Sequence, residues 1–223
     1  MTISAEALVT ALRLGDSQFP SGAFGFSWGL EMLWREKCVR SGSLLLFVQS
    51  ELEGRWAVSD RVFIDRAMMA SDTAALQIID DEANAMAWPT TYREGACRAG
   101  AGLLASHARM GTPGAAALQH DCRNGNLRGH LPVIQGALFA ALALEGPVAL
   151  AVAGYSFIAG LGGAAMRLGM AGAIEVQQTI ASLTPRLAEL AEEPLPETAT
   201  SFSPLCDIAM MRHGTAGAGL FAN

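Results

Sequence analysis

Along most of this chain apolar residues recur every three or four positions, the period of a helix with one buried face, and no run alternates as a strand would. Ser4 stands as an N-cap before a helix that runs through Leu8 and Leu12 to Leu14, and Gly15-Asp16-Ser17 breaks it. Pro20 and Gly22 mark a turn. A helix is predicted over 23–37, with Phe24, Trp28 and Leu33 on one face. The next covers 44–58, where Leu45, Val48 and Leu52 keep the spacing. Ser59-Asp60 reads as the cap of another, carrying Val62, Ile64, Ala67 and Met68, and Asp72 opens one through Leu76 and Ile79. Trp88-Pro89-Thr90-Thr91 reads as loop and cap before a long helix over 92–110. Thr112 and Pro113 read as cap and first turn of its successor, which ends at Asn124-Gly125-Asn126.

Two strongly apolar helices are predicted over 132–144 and 147–166, joined at Glu145-Gly146. Another covers 172–183, and Thr184-Pro185 begins a short one reaching Glu192. From 194 to 204 prolines stand among serines and threonines, the composition of an extended linker. A last helix over 205–213 precedes a tail of small residues. The expectation is an all-α fold, a single compact domain of about ten helices over 1–193 with a linker and C-terminal arm over 194–223.

Composition narrows the function classes. Only 16% of the residues are charged, against ~25% in an average soluble protein. The net charge of −6 offers nucleic acid no general attraction. The only lysine, Lys37, follows Glu36, so neither the Gly-Lys-Ser/Thr of a phosphate-binding loop nor the kinase set is present. The N-terminus lacks the basic and apolar regions of a signal peptide. Cys38, Cys97, Cys122 and Cys206 form no Cys-x-x-Cys, which fits reduced thiols in the cytoplasm. The stretch 146–166 is long enough for a bilayer of roughly 30 Å. Its Ala and Gly content and the lack of a Lys/Arg cluster beside it favour two packed buried helices and no membrane.

No catalytic constellation emerges. Gly-x-Ser-x-Gly and Gly-x-Gly-x-x-Gly are both absent, and Asp80/Asp81 and Glu192/Glu193 lie in solvated stretches. His120 and Cys122 flank Asp121, but alternate helix positions point roughly 200° apart and cannot readily share a metal. His107 reads as a surface or satisfied core residue, and His130 as a partner for free backbone groups at a helix entry. No metal site is assigned. Nickel binding or storage on His120, Cys122, His130 and His213 remains the alternative reading.

Two segments stand out. Residues 19–31 put four aromatics and three glycines around one proline; residues 201–213 put apolar side chains on an arm that must cover its own domain or a partner. The same segments resemble the urease accessory protein UreF family. The first family block is similar to Leu14-Gly15-Asp16-Ser17-Gln18-Phe19-Pro20-Ser21-Gly22-Ala23-Phe24, then Ser27-Trp28-Gly29-Leu30-Glu31. Gly129-His130-Leu131-Pro132-Val133 with Gly136 resembles a second block, and Arg167-Leu168-Gly169 with Gly172 and Gln178 a third. Ser203-Pro204-Leu205, Asp207-Ile208-Ala209, Met211-Arg212-His213 and Leu220-Phe221 resemble the C-terminal signature.

The resemblance implies an all-helical, non-enzymatic cytoplasmic maturation factor for a nickel hydrolase. It implies a homodimer that binds a UreD/UreH-type partner, recruits the GTPase UreG and docks on urease apoprotein. Nickel is then cargo rather than a firmly bound cofactor, and an internal passage for it is part of the family picture. The arm residues Ser203, Pro204, Leu205, Asp207, Met211, Arg212, His213, Leu220 and Phe221 are expected at the partner interface. Phe19, Pro20, Ser21, Phe24, Trp28, Glu31, Gly129, His130, Pro132 and Arg167 are expected in interfaces or structural motifs. Two departures accompany the match. The His that the family often carries in the first block is replaced by Gly25-Phe26-Ser27. The Glu, Tyr and Arg expected near the final Leu-Phe are replaced by glycines, alanines and a threonine.

Overall fold

A computed structural model describes residues 3–213 and 219–221, and every regular element among them is helical. The N-terminal pair of residues and most of the small-residue tail, 214–218 and 222–223, lie outside the described residues. Helix α1 (Ala5–Gly15) starts where the sequence predicts, with the Ser4 hydroxyl accepting from the Ala7 N–H at 3.1 Å. Asp72 likewise caps α5 (Thr73–Met86) through the Ala75 N–H at 2.9 Å.

The helix predicted over 23–37 is cut to α2 (Leu30–Arg35). Trp28 at φ +53° and Gly29 at φ +92° turn the backbone left-handed and end any helix there. The gain is contact: the Trp28 ring stacks on Phe26 with centroids 5.2 Å apart and meets Tyr92 edge-on at 5.5 Å.

Two predicted breaks are absent. The helix α3 (Leu44–Glu51), a π-helical stretch (Leu52–Asp60) and α4 (Arg61–Met68) form one rod. Ser59 and Asp60 do not cap, because Asp60 is itself in the right-handed helical region and its side chain takes a hydrogen bond from the Tyr92 hydroxyl. Likewise α10 (Ala173–Glu192) runs unbroken through Pro185. One missing N–H is tolerated because the apolar face of Val176, Ile180, Leu183, Leu187 and Leu190 is buried, with the helix packed on α9.

The remaining rods are α6 (Thr90–Arg109), α7 (Ala115–Arg123), α8 (Leu131–Ala141), α9 (Gly146–Arg167) and α11 (Pro204–His213). Helix α7 starts after Gly114 rather than at Pro113. Helix α9 is the axis of the core, touching α1, α3, the π-helical stretch, α4 and α10. It is long and apolar enough to cross a membrane by composition, yet over half of its most apolar window is buried in the fold.

Small residues set how closely these rods approach. A Cβ on Gly154 would run into Leu187 and Trp56, and one on Gly136 of α8 into the Ile64 carbonyl of α4. Gly136→Val should therefore lower stability by about 1–3 kcal/mol through overpacking. Gly160→Ala, where a Cβ meets nothing within 4 Å, should raise it by about 0.4–1 kcal/mol. Urea midpoints at constant slope test both.

Candidate functional site

The stretch read as a linker is extended but docked. The Thr200 N–H donates to the Val58 carbonyl and the Phe202 N–H to the Gly54 carbonyl, each at 2.8 Å. Both acceptors lie on the π-helical stretch, a geometry that recurs at functional sites. Beyond it, α11 has two faces. Cys206, Ala209 and Met210 are in the core. Phe202, Leu205, Ile208 and Met211, three residues apart, are 80%, 66%, 46% and 48% exposed.

Beneath the arm sits Arg55, nearly fully buried. Its guanidinium lies 5.7, 5.3 and 5.1 Å from the ring centroids of Trp28, Tyr92 and Phe157. Glu51, one helical turn back, holds a carboxylate oxygen 3.8 Å from its Nε. The other Glu51 oxygen accepts from the Ser203 hydroxyl of the arm. Burial works against the charge on Arg55, but Tyr92, Glu51 and Asp60 outweigh it and hold the group protonated. Burial pushes the Asp60 and Asp207 carboxyls above their ordinary range, against the pull of Arg55. The first block, the π-helical stretch, α6, α9 and the arm thus meet at one cation.

Arg55, Asp60 and Tyr92 form the polar floor of a cavity of about 360 Å³. Its walls are apolar, with Phe19, Phe26, Phe157 and Met166 among them. Phe24 and Arg167 stand in its lining as well. The Arg167 guanidinium is sandwiched, 3.9 Å from the centroid of Phe24 and 4.2 Å from that of Phe221. It also donates to the carbonyls of Phe24 and Gly163. Burial lowers its pKa from the ordinary arginine value.

Glu31 anchors the chain end. This buried carboxylate accepts the Leu220 N–H at 2.8 Å and the Phe221 N–H at 3.2 Å. It also meets His213 Nε2 at 3.2 Å and Arg35 at 2.9 Å. Burial works to raise its pKa, but these four partners outweigh that and leave the group below the ordinary carboxylate range.

The sequence-derived residues are thereby sorted. Phe24, Glu31, Arg167 and Phe221, from three separate blocks, come together, while Trp28 joins Phe26, Tyr92 and Arg55. Phe19 rests on the His107 ring at 5.4 Å, the Pro20 carbonyl accepts from Ser106, and the Ser21 hydroxyl accepts from the Ala23 N–H. The Gly129-His130 turn is built elsewhere, where Asp80 accepts the N–H groups of Arg128, Gly129 and His130 at 2.6, 2.8 and 3.0 Å. Pro132 opens α8 and reaches the cavity lining. In the arm, Ser203 and Phe221 point inward, while Pro204, Leu205, Met211, Arg212 and Leu220 are exposed; Arg212 pairs with Glu36 at 3.0 Å. Asp207 and His213 are half-buried.

Among the described residues no three His, Cys, Asp or Glu side chains converge as metal ligands. His120 contacts Asn124, His130 contacts Asn84 and His213 contacts Glu31. Sequence reasoning missed Arg55, Glu51, Asp60 and Asp80. The available signal was Glu51 and Arg55 four apart among the apolar positions Phe47, Val48, Leu52 and Trp56 of the same rod.

Two outcomes follow. Arg55→Ala leaves Glu51 buried without its cation and should cost about 3–5 kcal/mol, seen as a lowered urea midpoint. Glu31 has a depressed pKa in the folded state, so its contribution is present above the ordinary carboxylate value and is lost as pH falls through the folded value. Acid titration of stability should therefore be shallower in Glu31→Gln than in the parent chain.

Comparison with known proteins identifies relatives along nearly the whole chain. The UreF family profile matches residues 39–184. Urease accessory protein UreF of Trichodesmium erythraeum is 30% identical over 220 residues, spanning 95% of each chain. Urease accessory protein UreF of Cereibacter sphaeroides is 31% identical over 220 residues, spanning 96% of this chain and 98% of its own. Urease accessory protein UreF 1 of Brucella melitensis is 28% identical over 228 residues, spanning 99% and 94%. With the family profile matching 39–184 and a relative 30% identical over nearly the whole length, this chain belongs to the UreF family of urease accessory proteins.

Proposed function

We propose that this chain is the adaptor of urease maturation in the cytoplasm. It links a UreD/UreH-type partner and the GTPase UreG to urease apoprotein and regulates GTP-dependent delivery of nickel, which passes as cargo and is not retained. It works as a homodimer and catalyses no reaction itself. The observation that carries this reading is the exposed apolar stripe Leu205, Ile208 and Met211 on a helix whose opposite face is locked in the core, extended by Phe202 just before it. A rigid helix with such a face suits the groove of another protein, where a few apolar anchors supply most of the affinity. The polar floor of the cavity is shared with a small second cavity that reaches His130 and Asp207, which supports a route for cargo through the domain.

Co-purification tests the adaptor role directly. The chain should associate with a UreD/UreH-type protein and, through that complex, with UreG. No association under conditions where another UreF protein binds would overturn the proposal. Within the stripe, Leu205→Asp and Met211→Asp should leave the fold intact, since both side chains are solvent-facing. Each should weaken partner binding by roughly tenfold or more, as the loss of an apolar anchor does.

A further inference from the structure

The structure places the chain end where it can control access to the cavity. Phe221 is buried at 5% exposure, and its ring covers the face of Arg167 opposite Phe24. Arg167 and Phe24 both line the cavity, so the ring holds part of its wall in place. The tip is tethered twice, by the backbone N–H groups of Leu220 and Phe221 on the Glu31 carboxylate and by the Phe221 ring on Arg167. Gly219 fits this tether closely: a Cβ there would lie 2.7 Å from His213 Nε2 and 2.9 Å from a Glu31 oxygen. Leu220, between them, is 60% exposed.

The rest of the arm is fixed more deeply. Cys206 and Met210 are fully buried, Ser203 holds Glu51, and Thr91 donates to the Met210 carbonyl at 3.1 Å. Lifting α11 would open the core, whereas lifting the tip frees one ring and two N–H groups. We propose that residues 219–221 form a releasable strap. Docked on Glu31 and Arg167, the strap braces the Phe24–Arg167 wall at the mouth of the apolar cavity of about 360 Å³; released, it lets the Phe24 segment swing and widens the mouth for an apolar guest. This goes beyond the adaptor role and is tested on the free chain, so its failure is separate from a failure to bind partners.

Hydrogen exchange and uptake of the neutral apolar dye Nile red read the two states of the full chain. Phe221→Ala and Gly219→Ala should speed exchange over 23–30 and raise dye fluorescence several-fold. Leu220→Ala should behave as the parent, and exchange in α9 and α10 should be unchanged in all three. Adding Gly160→Leu, which places a side chain toward the cavity from an open position, should cancel the dye signal of Phe221→Ala. Three results would overturn the strap. One is random-coil exchange of the 220 and 221 amides in the parent chain. Another is parent-like behaviour of both tip variants. The third is a dye signal that survives the filled cavity.

Discussion

A guanidinium taken out of water must be compensated, and in this molecule the compensation of Arg55 draws together five distant segments. Glu51 supplies the nearest countercharge, and Trp28, Tyr92 and Phe157 supply three ring faces. A desolvated cation over one ring is worth about 2 kcal/mol, so three rings offset a substantial part of the several kcal/mol that burying the charge costs. It also explains the loop before α2. Only the left-handed turn at Trp28-Gly29 brings that indole over Arg55, so a sequence periodic enough for a helix is spent on a contact. The arm is drawn in by the same demand, because Ser203 satisfies the second oxygen of Glu51.

The second constraint is distance between backbones. Gly154, Gly162 and Gly136 lie at crossings where a methyl group would strike Leu187, Val176 or the Ile64 carbonyl. A core built this way gains little per residue from side-chain burial and much from close packing of the rods themselves. The Ala- and Gly-rich composition that makes α9 look like a bilayer span is what allows it to serve as the axis of a globular core.

Helix existence was legible because periodicity reports a buried face directly; caps at Ser4 and Asp72 were legible because their chemistry is local. The errors share one cause. Ser59-Asp60 and Pro185 carry strong local stop signals, and both were overridden by packing between residues far apart in sequence, Asp60 with Tyr92 and the α10 face with α9. The site was legible only in pieces. Phe24, Glu31, Arg167 and Phe221 were marked by the family blocks, but no period or spacing says that they meet, nor that Trp28 meets Arg55. Arg55 and Asp80 carried no mark, since a charged residue on a helix reads as solvated until its surroundings are known.

The tail shows why a missing side chain is not a missing interaction. Glycines, alanines and a threonine stand before the final Leu-Phe of this chain, so no charged side chain is there to anchor it. Glu31 nevertheless grips it, because the carboxylate takes main-chain N–H groups that every residue but proline supplies. Small residues assist that grip, as Gly219 does beside His213. The grip of the tip on its own domain is therefore shared between the Phe221 ring on Arg167 and one buried carboxylate of α2, held ionised by Arg35, His213 and two amides. A tip held by its backbone also leaves its exposed side chain, Leu220, available to a neighbour while the strap stays shut. Closure and recognition at the chain end are thus carried by different atoms of the same three residues.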